Sequence, residues 1–236
     1  MPGGLTRRRI LVRSDNVASL TDEGLHAMIS YGIANVIDLR SEQEVSGGAV
    51  GPPFSAFQSG TLVPLDAPGS ISDGGRREPT YINLPLVDDK TAEVLNRAPT
   101  MPERYRLMID HRQAAIGTIF QSIARAEGPV LFHCFAGKDR TGLIAAMMLS
   151  LAGVEPEAIG ADYAETDEQL STRYQEWLAR AKPEHLESMR DELRCPPDWM
   201  LSAVTHVELR WGGVAAYLEA AGLAPADIDR LTAMLA

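Results

Sequence analysis

The segment His133-Cys134-Phe135-Ala136-Gly137-Lys138-Asp139-Arg140-Thr141-Gly142 places a thiol six residues before a guanidinium, with small and polar residues between them. That set suits nucleophilic chemistry on an anion. A free thiol titrates near ~8.5, but thiols at helix N-termini among cations ionise more readily, and the thiolate is the attacking species. Cys134 is the candidate nucleophile. Arg140 can fold back over the loop, and its planar fork matches two phosphate oxygens at once. Gly137 permits a tight turn and close backbone approach. The loop Phe135, Ala136, Gly137, Lys138, Asp139 and Arg140 is the candidate phosphate cradle, with Lys138 adding positive charge. His133 and Thr141 are candidate supporting residues, His133 orienting the loop and Thr141 donating a hydrogen bond to the thiolate. The bare Cys-x5-Arg spacing is weak in a chain this rich in arginine. His133, Gly137 and Thr141-Gly142 around it make it specific. Cys195 has Leu201 at the same offset and lacks the pattern.

The flanking residues predict how the loop is held. Val130-Leu131-Phe132 is a short continuous apolar run, as in a fully covered central strand. Residues 143–151 are apolar on nearly all sides and predict a buried helix that Gly153 ends. A loop between a strand end and a helix start turns its N–H groups and the helix dipole toward an anion. Ligands in open α/β sheets bind at that edge. Further strands are expected at residues 10–12, 35–40 and 81–87, the last demoted to an edge or ended early by Pro85. Residues 61–65 could add another, and residues 71–80 read as an exposed loop. Helices are expected up to Tyr31, closed by Gly32, and briefly at residues 41–44. One continuous helical pattern runs from Pro102 through Ile123. Beyond Pro156 the pattern is helical, with breaks at Pro183, Pro196-Pro197, Gly212-Gly213 and Gly222. The expectation is an α/β fold: a central, mostly parallel sheet flanked by helices, with a C-terminal helical segment placed to act as a lid.

Composition excludes several classes. The 236 residues favour a single domain, 1–236, with residues 156–210 as a helical lid within it. Two cysteines and no C-x-x-C pair exclude a disulfide scaffold and a structural zinc site. A net charge of −10 argues against nucleic acid as partner. No apolar run reaches the roughly 18 residues of a membrane span. The first residues show no apolar core of a signal peptide, so the expected location is cytoplasmic.

The ten-residue loop closely resembles the signature of cysteine-dependent protein tyrosine phosphatases, His-Cys-x-x-Gly-x-x-Arg-Thr-Gly. Its Gly137-Lys138-Asp139-Arg140-Thr141 version resembles an atypical bacterial branch of dual or lipid-directed specificity, including the mycobacterial tyrosine phosphatase B-like group. Arg13-Ser14-Asp15, Val36-Ile37-Asp38-Leu39-Arg40, Asp162-Tyr163-Ala164 and Gly212-Gly213-Val214 are also similar to that group. The resemblance implies a phosphatase fold and hydrolysis of phosphotyrosine, with phosphoserine, phosphothreonine and phosphoinositides as further substrates to consider. It implies a phosphocysteine intermediate on Cys134, inorganic phosphate as product, and neither metal nor cofactor. The partners would be phosphorylated proteins or phosphoinositides.

A leaving phenolate needs a proton, so a carboxylic acid should stand near the loop. Three candidates remain open. Asp139 lies inside the loop, although Asp also suits a helix start. Asp88, with Asp89, follows the strand at residues 81–87, where dual-specificity phosphatases carry their acid. Asp38 ends the strand beside the nucleophile's, though it can equally cap a turn. Two other function classes also share such loops. A binding module without turnover usually loses the Cys or the Arg, and both are present. Sulfur transferases and arsenate reductases typically lack His133 with Thr141-Gly142. Arsenate reductases also need resolving cysteines, and Cys195 is the one other thiol, expected as a partly exposed bystander.

Overall fold

The computed structural model describes residues 5–47, 57–59 and 79–236. Five strands form one sheet: β1 (Leu11–Ser14), β2 (Asn35–Asp38), β3 (Phe57–Ser59), β4 (Thr80–Asn83) and β5 (Val130–His133). Their order is β1-β5-β2-β4-β3, and every neighbouring pair is parallel. Ser14 stands opposite His133, His133 opposite Asp38, and Asp38 opposite Asn83. The carboxyl ends of four strands therefore lie level, and the Cys134 loop leaves from the middle of that edge.

Strand periodicity of two divides the core. Ile37, Ile82 and Phe132 point into a large cluster with most of the helices. Val36, Tyr81 and Leu131 point the other way, into a smaller cluster with Val17, Met28 and Ile33. Helix α1 (Asp22–Tyr31) covers this smaller side. Thr21 accepts a hydrogen bond from the Gly24 N–H at its start, and left-handed Gly32 (φ 96°) ends it. A short helix α2 (Glu42–Gly47) follows β2, and α3 (Asp89–Leu95) follows β4.

The large side holds α4 (Met101–His111), α5 (Gln113–Arg125) and α6 (Asp139–Leu151), then α7 (Pro156–Gln169) and α8 (Ser171–Arg180). Then come α9 (Leu186–Leu193), α10 (Pro197–Trp211), α11 (Val214–Ala220) and α12 (Pro225–Leu235). Helix α6 is buried over most of its length, which explains its uninterrupted apolar sequence. Among the described residues, no helix is long and apolar enough to cross a membrane.

The structure corrects several expectations. The pattern from Pro102 to Ile123 is two helices, broken at Arg112 (φ −116°, ψ 23°). There the Arg112 guanidinium donates to the carbonyl oxygens of Leu86 (2.7 Å) and Pro85 (3.4 Å) and pairs with Asp88. One long-range anchor outweighs unbroken apolar spacing. Of the two outcomes expected for Pro85, the early end holds, at Asn83, while the edge placement does not, because β4 lies between β2 and β3. Residues 61–65 and most of 71–80 lie outside the described residues, and β3 was not expected. Residues 156–210 are unevenly buried. Ile159 and Tyr163 of α7, and Met200, Ala203 and Val207 of α10, belong to the main core. Within residues 156–210, α8 buries Tyr174 alone and α9 buries no side chain.

Candidate active site

The loop after β5 begins with His133 and Cys134, both buried. His133 Nδ1 lies 3.0 Å from the Cys134 carbonyl oxygen. Gly137 takes φ +71°, and a Cβ there would lie 2.5 Å from the Ser14 carbonyl oxygen. Only glycine lets the loop pass so close to the end of β1. Arg13 of β1 clamps the turn from the other side. Its guanidinium donates to the Gly137 carbonyl (2.9 Å), to Thr166 (3.2 Å) and to the Asp162 carboxylate (2.7 Å).

Among the described residues, no acceptor takes the backbone N–H of Phe135, Ala136, Gly137 or Lys138. The first turn of α6 adds further N–H groups with no intrahelical partner. A run of unpaired N–H groups at the start of a thirteen-residue helix attracts an anion.

Arg140 is held by a residue not anticipated from the sequence. Glu44 of α2 accepts from both Arg140 terminal nitrogens, at 2.5 and 2.7 Å. The same carboxylate closes a capping box with Ser41: Ser41 N–H donates to Glu44 (2.8 Å), and Glu44 N–H donates to the Ser41 hydroxyl (3.2 Å). The Ser41-x-x-Glu44 spacing was visible in the sequence; its link to Arg140 was not. Burial alone would lower the Arg140 pKa. The Glu44 hydrogen bonds and the charges of Cys134, Glu44 and Asp139 more than offset it, so the guanidinium stays charged. Burial pushes Glu44 up, and Arg140 and Ser41 bring it below the usual carboxylate range.

An open cavity of about 720 Å³ faces the loop. The loop contributes Phe135, Asp139 and Arg140 to its wall, and Val87, Leu95, Met101 and Met108 add an apolar side. Phe135 is half exposed and stacks on Trp177 of α8, with ring centroids 5.9 Å apart and planes at 23°. Ala136 and Gly137 line a separate cavity of about 420 Å³ with Arg13, Asp162 and Thr166.

The three candidate acids separate clearly. Asp139 is in the cavity wall, and its carboxylate accepts from the Tyr105 hydroxyl at 2.5 Å. Asp88 also reaches the cavity, but it caps α3 by accepting from Thr91 N–H (2.8 Å) and pairs with Arg112. The Thr91 hydrogen bonds, with Arg112, hold its carboxyl below the ordinary range. Asp89 accepts from Gln43 (3.1 Å). Asp38 stands apart from the other two and takes the turn-capping role, accepting from the Arg40 N–H at 2.9 Å. It is fully buried and does not line the cavity. Arg40 chelates it (2.6–3.0 Å), and the Tyr81 hydroxyl donates to it at 2.5 Å. Burial raises its pKa, but Arg40, His133 and Tyr81 together bring it below the ordinary value.

Two expectations within the loop also change. The Lys138 side chain is buried and turned away from the cavity, donating to the Glu192 carbonyl at the end of α9 and lying 5.4 Å from the Trp199 ring. It adds no exposed charge to the site. The Thr141 hydroxyl is buried without a hydrogen-bond partner among the described residues, so the expected bond to Cys134 is not formed. Cys195, expected to be partly exposed, is buried. Burial, with Asp167 and against the pull of Lys138, pushes its thiol up to about 12.

A parallel sheet with a thiol, a guanidinium and unpaired N–H groups at its carboxyl edge defines an α/β enzyme of phosphate-ester chemistry. A family model described as "Tyrosine phosphatase family" matches residues 2–236, and the chain belongs to that family. It is 27% identical to the "Triple specificity protein phosphatase PtpB" of Mycobacterium tuberculosis, over 95% of this chain and 90% of the relative. It is 27% identical to a "Tyrosine-protein phosphatase" of Nostoc commune, covering 95% of this chain and 73% of that one. A "Putative tyrosine-protein phosphatase" of Cupriavidus necator is 29% identical over 92% of this chain and 75% of its own.

Proposed function

We propose that this phosphatase hydrolyses phosphotyrosine through a phosphocysteine on Cys134, with Asp139 as general acid and then general base. The observation that carries the reading is the loop itself: Cys134 and Arg140 joined by four N–H groups that have no acceptor among the described residues. The Cys134 thiolate attacks phosphorus in line, and the S–P bond forms as the ester P–O bond breaks. Asp139 gives its proton to the leaving oxygen. In the second step Asp139 takes a proton from water as the new O–P bond forms and the S–P bond breaks, releasing phosphate. The loop amides and Arg140 hold the equatorial oxygens throughout, so positioning and electrostatics supply most of the acceleration.

The apolar wall of Val87, Leu95, Met101, Met108 and Phe135 supports an aromatic ester. Phosphoinositides receive less support, because Lys138 is turned away. The buried state of Cys195 counts against an arsenate-reductase-like relay, which needs an accessible second thiol. We also read the chain as one domain, with α8 and α9 as a lid over the cavity.

The test is hydrolysis of p-nitrophenyl phosphate without added metal, with acid-quenched mass spectrometry of the peptide holding Cys134. Wild type should turn over and show one added phosphoryl group at Cys134. Cys134→Ser should lose activity by about 10⁴-fold or more, the scale of a lost nucleophile. An inactive wild type, or a Cys134→Ser variant of normal rate, overturns the reading. A panel of phosphotyrosine, phosphoserine and phosphothreonine peptides and inositol phosphates then ranks the substrates.

A further inference from the structure

Tyr105 of α4 is fully buried, yet its hydroxyl donates to Asp139 Oδ1 at 2.5 Å. Tyr163 of α7, also buried, places its hydroxyl 2.7 Å from that of Tyr105. The two rings meet edge to face, with centroids 6.2 Å apart. Three helices thus each lend one side chain to a polar chain inside an otherwise apolar core. Burying two phenols this way is costly unless both are bonded.

Proton counting gives the chain a direction. Each phenol has one proton, and an ionised carboxylate only accepts. Tyr105 therefore spends its proton on Asp139, and Tyr163 spends its own on Tyr105. Lys138 Nζ, from the loop, lies 3.5 Å from the same Asp139 Oδ1. Arg140, the other charged loop neighbour, is neutralised by Glu44. Both local donors thus favour a proton-free Oδ1.

We infer that Tyr105 is a positioning residue for the acid: it occupies Oδ1 of Asp139, so that the proton to be transferred sits on Oδ2, and Tyr163 holds Tyr105 in place. The inference rests on the reading of Asp139 as the acid. In the first step the Oδ2–H bond breaks, the proton passes to the ester oxygen leaving phosphorus, and the new negative charge is shared with Oδ1 under the Tyr105 hydroxyl. In the second step Oδ2 recovers a proton from water. Burial, helped by the charge of Asp139, pushes the Tyr105 phenol well above its ordinary value, so it remains a donor across the neutral range.

The experiment compares kcat/KM for phenyl phosphate and p-nitrophenyl phosphate, whose leaving groups differ in basicity. General-acid help matters more for the more basic one. Wild type, Asp139→Asn, Tyr105→Phe and Tyr163→Phe are measured. Asp139→Asn should lose about 10²-fold or more on phenyl phosphate and far less on p-nitrophenyl phosphate. Tyr105→Phe should show the same bias, with about a tenfold loss on phenyl phosphate. Tyr163→Phe should show it more weakly. Each ratio comes from one preparation, so a partly unfolded variant does not distort it. If Tyr105→Phe does not fold, the Tyr163→Phe ratio decides. Equal losses on both substrates in the tyrosine variants, with Asp139→Asn still biased, overturn the positioning role alone. An unbiased Asp139→Asn overturns the acid reading and this inference with it.

Discussion

Asp38 and Arg40 form an ion pair almost wholly removed from water, with Tyr81 and His133 against the same carboxylate. Removing one partner of such a pair leaves an uncompensated charge and costs about 3–5 kcal/mol. Asp38→Asn should therefore lower stability by that amount in urea unfolding, while leaving the preference between the two aryl phosphates untouched. The pH dependence has a definite sign. The folded-state pKa lies below the ordinary value, so the stabilisation is complete above about pH 4 and is lost as pH falls further. Unfolding curves between pH 7 and pH 3 should steepen below pH 4 in wild type and less so in Asp38→Asn. Glu44 gives a second prediction at this scale. Glu44→Gln keeps the shape but removes the charge that pins Arg140, so kcat/KM for p-nitrophenyl phosphate should fall about tenfold or more. An unchanged value would show that Arg140 needs no such partner.

Helices α8 and α9 meet the rest of the fold mainly through part-exposed contacts: Tyr174 buried, Trp177 on Phe135, Arg173 paired with Asp15 (2.5 Å), Glu192 paired with Arg104 (3.3 Å), and the Lys138 contact to the Glu192 carbonyl. Regions with so few buried contacts open with low free energy. Amide exchange should be fast in residues 171–193 and slow in α7 and α10, and phosphate should slow it in the first segment only. Uniform protection across residues 156–210 would remove the lid. What was legible at this scale depended on range. The Val130–Phe132 run, the loop and the apolar α6 are contiguous in sequence, so their order and burial could be read directly. The break at Arg112 depends on carbonyls at Pro85 and Leu86, and the grip on Arg140 depends on Glu44, 96 residues away. Asp38 and Asp139 read alike as acids near strand or helix ends. Only the tertiary fold buries one against Arg40 and sets the other in a cavity wall. Tyr105 reads only as part of the helical pattern from Pro102 to Ile123, and Tyr163 only within the Asp162-Tyr163-Ala164 resemblance, because neither periodicity nor a short motif records where a hydroxyl ends.

Over the whole molecule, a net charge of −10 repels the dianion that the loop must bind. The attraction acts within contact distance, whereas the repulsion extends over about a Debye length, ~10 Å at 0.1 M salt. Raising an inert salt from about 10 mM to about 150 mM should therefore raise kcat/KM for p-nitrophenyl phosphate modestly, by about threefold at most. A clear fall would mean that the cavity mouth draws anions from a distance despite the acidic surface. The aromatic contacts are also unevenly spread across the molecule. Of the three tryptophans, Trp199 and Trp211 share α10, with Trp199 under Lys138 and Trp211 against Tyr217. Trp177 alone rides on α8, face to face with the phenyl ring of the anion loop. With Trp199→Phe and Trp211→Phe in place, the remaining indole becomes a built-in optical reporter. Its emission colour and quenching by iodide would follow, in real time, whether that ring has been uncovered.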